Sequence, residues 1–225
     1  MIPELSKDAV SNRIARNVAK IINATTDTCL VNLGIGIPSL VANFITNKNV
    51  YLHAENGIVG IGALATEEQA HPMLINAGRQ PICEAPGCFY TDSTLSFGLI
   101  RGGHVDITVL GALEVDQDGN IANWIIPNGK QLGVGGAMDL VVGANEVIVA
   151  MGHTVKGKSR LLKTCTLPIT GFAEVDVLVT EFAVFSFAGG SPELQDFAPD
   201  ITLDELRSIT EFSFAVSPSC GAMMV

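Results

Sequence analysis

Short runs of consecutive apolar residues, each followed by a loop, recur along this chain. They occupy residues 29–33, 50–53, 105–115 and 146–151. Continuous apolar runs of this length are typical of strands that are covered on both faces of a parallel sheet. Segments with helical spacing lie between the runs. The alternation predicts an α/β fold with a largely parallel open sheet and helices on both faces.

Local signals place two helices and one loop more closely. Residues 8–23 carry apolar side chains at helical spacing, which predicts an amphipathic opening helix. Thr202 and Glu205 stand at capping-box spacing, so a late helix is predicted to begin there. Residues 189–200 are rich in Gly, Ser and Pro and are predicted to form a surface loop.

The composition narrows the classes of function. A chain of 225 residues with 48% apolar content can bury a full core, so we expect one domain over residues 1–225. Only 16% of the residues are charged, which leaves little polar surface and favours burial against a partner protein. The formal net charge of -10 opposes binding to nucleic acid or to an anionic membrane.

Cysteine usage and the N-terminus indicate the compartment. The five cysteines are scattered and show no CxxC spacing, so neither a disulfide framework nor a zinc site is predicted. The first residues lack the pattern of a signal peptide, and no run of 18 apolar residues occurs. We therefore expect a cytoplasmic protein.

Glu55 is a single carboxylate at the end of an apolar run, on a turn that continues with Asn56 and Gly57. Residue chemistry alone leaves two interpretations open. The commoner one is a turn carboxylate that accepts hydrogen bonds from nearby amides. The other is a functional carboxylate at the carboxyl end of a strand, where ligands bind in open α/β sheets.

A glycine-dense loop covers residues 132–138. Glycines let backbone amides approach a ligand oxygen closely, as an oxyanion hole or a phosphate cradle requires. A tight structural loop explains the same residues equally well. His53 is predicted to make a local structural hydrogen bond, since no Ser or Cys partner stands at a known triad spacing.

Five sequence blocks occur in a fixed order, at residues 32–38, 53–60, 100–106, 122–127 and 135–140. Together they resemble the B (beta) subunit of the bacterial 3-oxoacid, acetate and butyrate-acetoacetate CoA-transferases, which are class I CoA-transferases. The resemblance extends from about Val10 to the final residues. It implies the CoA-transferase fold, which agrees with the predicted parallel sheet.

The resemblance also assigns roles to individual residues. Glu55 corresponds to the nucleophile of the family's Ser-Glu-Asn-Gly block, and Ala54 replaces the serine, a change that can alter a neighbouring hydrogen bond. Gly136 corresponds to the oxyanion-hole amide, which a glutamine of the other subunit completes. Asn32 corresponds to a residue near the carboxylate that orients it. The same blocks imply contacts with substrate and CoA at Gly34, Gly36, Asn56, Gly57, Gly133, Gly135, Ala137 and Met138.

The reaction implied by the resemblance moves CoA between a short-chain acyl-CoA and a free acid such as acetate, butyrate, acetoacetate or succinate. A carboxylate nucleophile conserves the thioester energy in an anhydride and then in a glutamyl-CoA thioester. The CoA thioester is a substrate, and neither a permanently bound cofactor nor a metal is expected. The implied partner is an A (alpha) subunit in an A2B2 complex.

Two other functions stay open at this point. The same fold could hydrolyse a CoA ester or open a ring, with Glu55 activating water. It could also serve as a non-catalytic ligand-sensing domain, because fold does not fix function. A basic cluster at Lys156, Lys158, Arg160 and Lys163 could meet the phosphates of CoA, but a solvated loop with salt bridges between subunits is the commoner role of such a charge run.

Overall fold

The computed structural model describes residues 2–126, 129 and 133–225. Its helices are α1 (Lys7–Asn23), α2 (Ile37–Leu40), α3 (Ser93–Arg101), α4 (Ala137–Gly143) and α5 (Leu203–Ile209), and a 3-10 turn covers Val41–Phe44. Its strands are β1 (Cys29–Leu33), β2 (Val50–Ala54), β3 (Ile58–Leu64), β4 (Ile82–Tyr90), β5 (Ile107–Leu110), β6 (Glu114–Asp116), β7 (Ile121–Ala122), β8 (Glu146–Ala150), β9 (Thr154–Val155), β10 (Lys158–Ser159), β11 (Leu161–Leu162), β12 (Val177–Val179), β13 (Ala183–Ser186), β14 (Glu193–Phe197) and β15 (Ala215–Ala222).

One sheet of ten strands organises the described residues, in the order β15-β14-β13-β12-β8-β5-β1-β2-β3-β4. The five central strands, from β12 to β2, all pair in parallel. The antiparallel pairs of this sheet lie towards its edges, where β13 runs against β12 and β14, and β3 runs against β2 and β4. The predicted largely parallel open sheet is confirmed.

The direction of the connections fixes which helices share a face of the sheet. The chain moves towards the β4 edge through α2, from β1 to β2, and towards the β15 edge through α3 and α4. Crossovers between parallel strands are right-handed, so connections that run in opposite directions lie on opposite faces. Helix α1 packs against α2, and α3 packs against α4. Helices therefore cover both faces, as the sequence predicts.

The centre of the sheet is packed with branched aliphatic side chains. Val31, Val109 and Ile148, on three adjacent strands, are fully buried. β-Branched residues fit a pleated surface that is covered on both sides. This packed centre holds the carboxyl ends of the parallel strands in fixed positions relative to one another.

Two predicted elements are corrected by the structure. The apolar run 105–115 forms two strands, because β6 leaves the large sheet after Gly111 and pairs with β11 and β7 instead. A run of hydrophobic residues indicates that a segment is buried, but it does not indicate which strand the segment pairs with. The sequence therefore did not show that the chain changes sheets within this run. The predicted loop 189–200 contains β14, which lies inside the large sheet with Leu194 fully buried.

The predicted opening helix and the predicted start of the late helix are confirmed. Helix α1 begins after Ser6, whose side chain accepts a hydrogen bond from the backbone N–H of Ala9. Helix α5 has a capping box: the Thr202 hydroxyl accepts from the Glu205 N–H at 3.2 Å, and the Glu205 carboxylate accepts from the Thr202 N–H at 3.0 Å. The two bonds satisfy backbone donors that have no partner inside the helix.

Replacing Thr202 with Ala should lower the free energy of unfolding by about 1 kcal/mol, because one backbone N–H of α5 loses its acceptor. Urea denaturation monitored by circular dichroism measures the change. The matched control is Thr26→Ala in the exposed loop before β1, which should leave the midpoint nearly unchanged. Equal midpoints for wild type and Thr202→Ala would contradict a stabilising cap.

Candidate active site

A cleft of about 470 Å³ opens where the central parallel strands end. Its walls come from the segments after β1, β2, β5 and β8, together with the loop before α4. Ligands bind at this edge in open α/β sheets, because the loops there converge on one place. The lining residues are Gly34, Ile35, Ile37, Pro38, Glu55, Leu110, Gly111, Ala112, Leu113, Asn123, Gly133, Val134, Gly135, Gly136, Ala137, Leu140, Ala150, Met151, Gly152 and Arg160.

Glu55 is the first residue after β2 and is the carboxylate of the cleft wall among the described residues. It is half-buried, and its Oε2 accepts a hydrogen bond from Asn32 Nδ2 at 3.4 Å. The turn that follows depends on Gly57, which has a φ of 118° and whose Cβ, if present, would lie 2.3 Å from the carbonyl oxygen of Thr91. Only glycine permits the chain to reverse here directly into β3.

A row of buried polar side chains leads to Glu55 across three neighbouring strands. Thr108 on β5, Asn32 on β1 and His53 on β2 are paired in register, and each is 0% exposed. Thr108 Oγ1 donates to Asn32 Oδ1 at 3.4 Å, and Asn32 Nδ2 lies 3.3 Å from His53 Nδ1. The other ring nitrogen of His53 lies 3.1 Å from Ser96 Oγ on α3. Each of the four buried side chains therefore has a polar partner.

His53 is uncharged at neutral pH in this setting. Burial lowers the pKa of its imidazole to about 4, because the charged form cannot be solvated inside the sheet. The predicted structural hydrogen bond is therefore part of a network that reaches the cleft. Sequence reasoning did not find Ser96 or Thr108, since only the strand register and the position of α3 bring them to His53.

Gly136 lies directly against the Glu55 side chain. A Cβ at Gly136 would lie 3.3 Å from Glu55 Cγ and 3.3 Å from the Phe97 ring, so a larger residue would have to displace one of these side chains by a few tenths of an ångström. Gly136 precedes α4, and no acceptor for its backbone N–H is found among the described residues. The structure thus brings together the three residues assigned to catalysis, Glu55, Gly136 and Asn32.

The other residues assigned to binding fall into two groups. Those that line the cleft with Glu55 are Gly34, Gly133, Gly135 and Ala137. Those outside its lining are Gly36, Asn56, Gly57 and Met138. Asn56 is exposed and donates to the carbonyl of Ile75 at 2.9 Å. Pro127 and Leu132, which belong to the resembling block and to the glycine-dense loop, lie outside the described residues.

The basic cluster separates in the structure. Lys156, Lys158 and Lys163 are exposed, whereas Arg160 is half-buried and lines the cleft. The Arg160 guanidinium donates to the backbone carbonyls of Leu113 at 2.9 Å and Gly152 at 3.3 Å, and also to that of Ala112. Arg160 therefore supports the cleft wall, which differs from the solvated role expected for the cluster as a whole.

The coenzyme A transferase family model matches residues 15–208 of the chain. The chain belongs to the coenzyme A transferase family. The resemblance in the five sequence blocks is confirmed, and so is the enzyme class, a CoA-transferase of the 3-oxoacid and acetate type.

Two curated relatives match this transferase chain over most of their length. It is 46% identical to the beta subunit of the acetate CoA-transferase of Escherichia coli K12, with 91% of this chain and 93% of the relative covered. It is also 46% identical to the B subunit of the probable succinyl-CoA:3-ketoacid coenzyme A transferase of Bacillus subtilis 168, with 91% and 95% covered.

A solved structure with the same fold is the acyl-CoA transferase YdiF of Escherichia coli O157:H7, with a TM-score of 0.73 and 20% identity. The whole of this transferase chain is covered, but it spans only 45% of the length of YdiF. At this identity the likeness concerns the fold.

Two further observations concern metal binding and the crossing of a membrane. Within residues 2–126, 129 and 133–225, no three His, Cys, Asp or Glu side chains are grouped so that they could hold a metal ion. None of the helices in the same ranges has the length and apolar character needed to cross a membrane.

The Ala54 side chain faces away from Glu55. It is buried at a small, mostly apolar cavity of about 30 Å³ on the α2 face of the sheet, whose wall contains Leu33, Leu52 and Ile82 and also the polar residues Ser39 and Asn76. Side chains alternate along a strand, so His53 and Glu55 project to the opposite face.

Ala54→Ser should therefore leave kcat nearly unchanged and lower the stability by about 1 to 3 kcal/mol, because a hydroxyl is buried at a mostly aliphatic cavity wall. Steady-state CoA transfer and thermal melting measure the two effects. The matched control is Ala42→Ser, which places a hydroxyl at the same cavity. A large loss of kcat at an unchanged melting temperature would contradict the assignment of this side chain to the far face.

The low pKa of His53 predicts a pH effect on stability. An exposed histidine titrates near 6.5, so lowering the pH from 7 to 5 protonates His53 in the unfolded chain while the folded chain, with a pKa of about 4, stays neutral. Stability due to this group falls by about 2 kcal/mol over that range. The His53→Gln variant has no titrating group at this position. Its free energy of unfolding should therefore fall by about 2 kcal/mol less than that of wild type over the same pH range.

Urea denaturation of wild type and His53→Gln at both pH values measures the difference. The two proteins share every other titrating group, including Glu146 and Glu181, whose pKa values burial raises, so the variant isolates the histidine. Parallel pH dependences for the two proteins would contradict a buried neutral imidazole.

Proposed function

We propose that this transferase chain moves CoA between a short-chain acyl-CoA and a free carboxylic acid by a ping-pong mechanism through a glutamyl-CoA thioester on Glu55. The observation that carries the proposal is the position of Glu55: its carboxylate lines the cleft at the carboxyl ends of the strands, in contact range of Gly136. A half-buried carboxylate beside a glycine amide is suited to attack a thioester carbonyl and to meet the resulting oxyanion with a donor.

In the first step, a Glu55 oxygen attacks the thioester carbonyl carbon and forms a tetrahedral oxyanion. Its collapse breaks the carbon–sulfur bond, releases the CoA thiolate and leaves a mixed anhydride on Glu55. The thiolate then attacks the glutamyl carbonyl, which releases the first carboxylate and leaves glutamyl-CoA. An incoming carboxylate repeats the two steps in reverse, so charges and bonds balance without another reactant.

Two neighbours of Glu55 have distinct roles in this proposal. The backbone N–H of Gly136 donates to the tetrahedral oxyanion, and one such donor is typically worth about 3 kcal/mol of barrier. Asn32 Nδ2, at 3.4 Å from Glu55 Oε2, holds one carboxylate oxygen so that the other is free to attack. The bond is long, as hydrogen bonds of catalytic groups often are before substrate binds.

The cleft wall supports a short acyl chain as substrate. Its sides are mostly glycine, alanine and aliphatic residues, which suit a small apolar acyl group and help to exclude the water that would hydrolyse an anhydride. Acetate, butyrate and acetoacetate fit this description. The relatives' names include acetate and succinyl-CoA:3-ketoacid CoA-transferases, which supports the same class of acids.

The proposal includes a second, different chain. The two curated relatives are named as beta and B subunits, which supports an alpha or A partner for this chain in an A2B2 complex. The solved YdiF thioester complex with CoA supports a covalent intermediate in this fold.

Glu55→Gln should abolish transfer, because the amide cannot act as the nucleophile that accepts the acyl group. The test uses the chain purified together with its partner subunit, treated with acetyl-CoA without an acceptor acid. Intact-mass and peptide mass spectrometry should find a CoA-sized adduct on Glu55 in wild type and none in the variant. The matched control is Glu211→Gln, an exposed carboxylate outside the cleft wall, which should keep both the adduct and the rate.

Rapid release of free CoA by wild type without any adduct would overturn the proposal in favour of a hydrolase. Full transfer activity in Glu55→Gln would remove the nucleophile assignment altogether.

A further inference from the structure

We propose that Ser96 and His53 are positioning residues for the nucleophile: Ser96 holds the main chain at Glu55, and His53 holds both Ser96 and Asn32. The inference rests on the proposed role of Glu55. Its basis is the hydrogen bond that Ser96 Oγ donates to the backbone carbonyl of Glu55 at 2.9 Å, the shortest bond of the buried network. Glu55 follows the last residue of β2, so the hydroxyl of Ser96 on α3 supports the main chain where the strand has ended.

The number of available protons fixes which group donates and which accepts in each hydrogen bond of the network. Ser96 has one hydroxyl proton, which it donates to the Glu55 carbonyl, so towards His53 Nε2 it can only accept. Nε2 of His53 therefore carries the ring proton, and Nδ1 is the acceptor that receives a proton from Asn32 Nδ2. The neutral imidazole supplies one donor and one acceptor, and the low pKa of His53 agrees with this state.

The same counting fixes the Asn32 amide. Thr108 Oγ1 donates to the oxygen of Asn32, so the nitrogen faces His53 and Glu55. Asn32 Nδ2 lies 3.4 Å from Glu55 Oε2, 3.3 Å from His53 Nδ1 and 3.4 Å from the His53 carbonyl oxygen, so its two protons serve these three acceptors. Both the main chain and the carboxylate of Glu55 are thus held by groups that His53 orients.

Helix α3 connects this network to the oxyanion side of the cleft. Ser96 supports the main chain at Glu55, and the next residue, Phe97, contacts the position of Gly136. A displacement of α3 would therefore move the nucleophile relative to the Gly136 amide. Misplacement of reacting groups by about 1 Å costs about a hundredfold in rate.

A second buried histidine provides a matched comparison. His153 is 0% exposed and its ring nitrogens lie 3.0 Å from Thr180 Oγ1 and 2.9 Å from Thr210 Oγ1. Neither threonine lines the cleft. Thr210→Val and Ser96→Ala each remove a hydroxyl that bonds a buried imidazole, but only Ser96 connects to Glu55.

The test measures the rate of glutamyl-CoA formation by rapid-quench mass spectrometry in the complex with the partner subunit, using acetyl-CoA. Ser96→Ala should lower that rate and kcat by about 10- to 100-fold with little change in KM, because the nucleophile is misplaced and binding is kept. His53→Leu should act similarly. His53→Gln should form glutamyl-CoA at a rate close to that of wild type. Its side-chain amide provides one acceptor and one donor, which replace the two ring nitrogens.

Thr210→Val should lower the melting temperature and leave the adduct rate unchanged. Wild-type adduct rates in Ser96→Ala and His53→Leu would overturn the positioning role while leaving Glu55 as nucleophile. Equal loss in His53→Gln and His53→Leu would also overturn it, since the conservative variant keeps the two hydrogen bonds. Failure of the wild-type protein to form any adduct on Glu55 would instead remove the proposed function.

Discussion

The register of three parallel strands is the constraint on which the rest of this site depends. Asn32 on β1 is paired with His53 on β2 and with Thr108 on β5, so three polar side chains share one row on one face of the sheet. Because side chains alternate along a strand, a slip of one residue in β2 would turn His53 and Glu55 to the opposite face. The apolar residues on the other face, such as Leu52 and Ala54, hold the register.

A buried polar row is stable only when its members satisfy one another. An isolated buried donor or acceptor costs about 1 to 3 kcal/mol, and here every side chain of the row has a partner. The row ends at Glu55, which is half-buried and reaches the cleft. The interior of the sheet can therefore fix one oxygen of this carboxylate while the cleft remains open to the proposed thioester substrate. This arrangement suits a group that must attack from a fixed direction.

The two sides of the proposed reaction centre are held by one helix. Ser96 and Phe97 are consecutive on α3; the first bonds the main chain at Glu55, and the second packs at Gly136. A Cβ at position 136 would lie 3.3 Å from both Glu55 Cγ and the Phe97 ring, so any residue other than glycine would push these side chains apart. The distance between carboxylate and amide is thus set by packing between α3, α4 and the end of β2, none of which is adjacent to another in sequence.

The sequence by itself determined the class of fold, the family, the central strands β1, β2, β5 and β8 and the helices α1 and α5, and it singled out Glu55, Gly136 and Asn32 as the candidate site residues. It could do so because burial on both faces leaves continuous apolar runs, caps need particular residues, and the resembling blocks are contiguous. Only the tertiary structure decided that β6 and β14 join their sheets, that Arg160 lines the cleft and that Ala54 faces the α2 side. It also joined Thr108, Asn32, His53 and Ser96, because hydrogen bonds between residues 21 to 76 positions apart depend on strand register and helix placement. The spacing of hydrophobic residues in the sequence contains no information about strand register or helix placement.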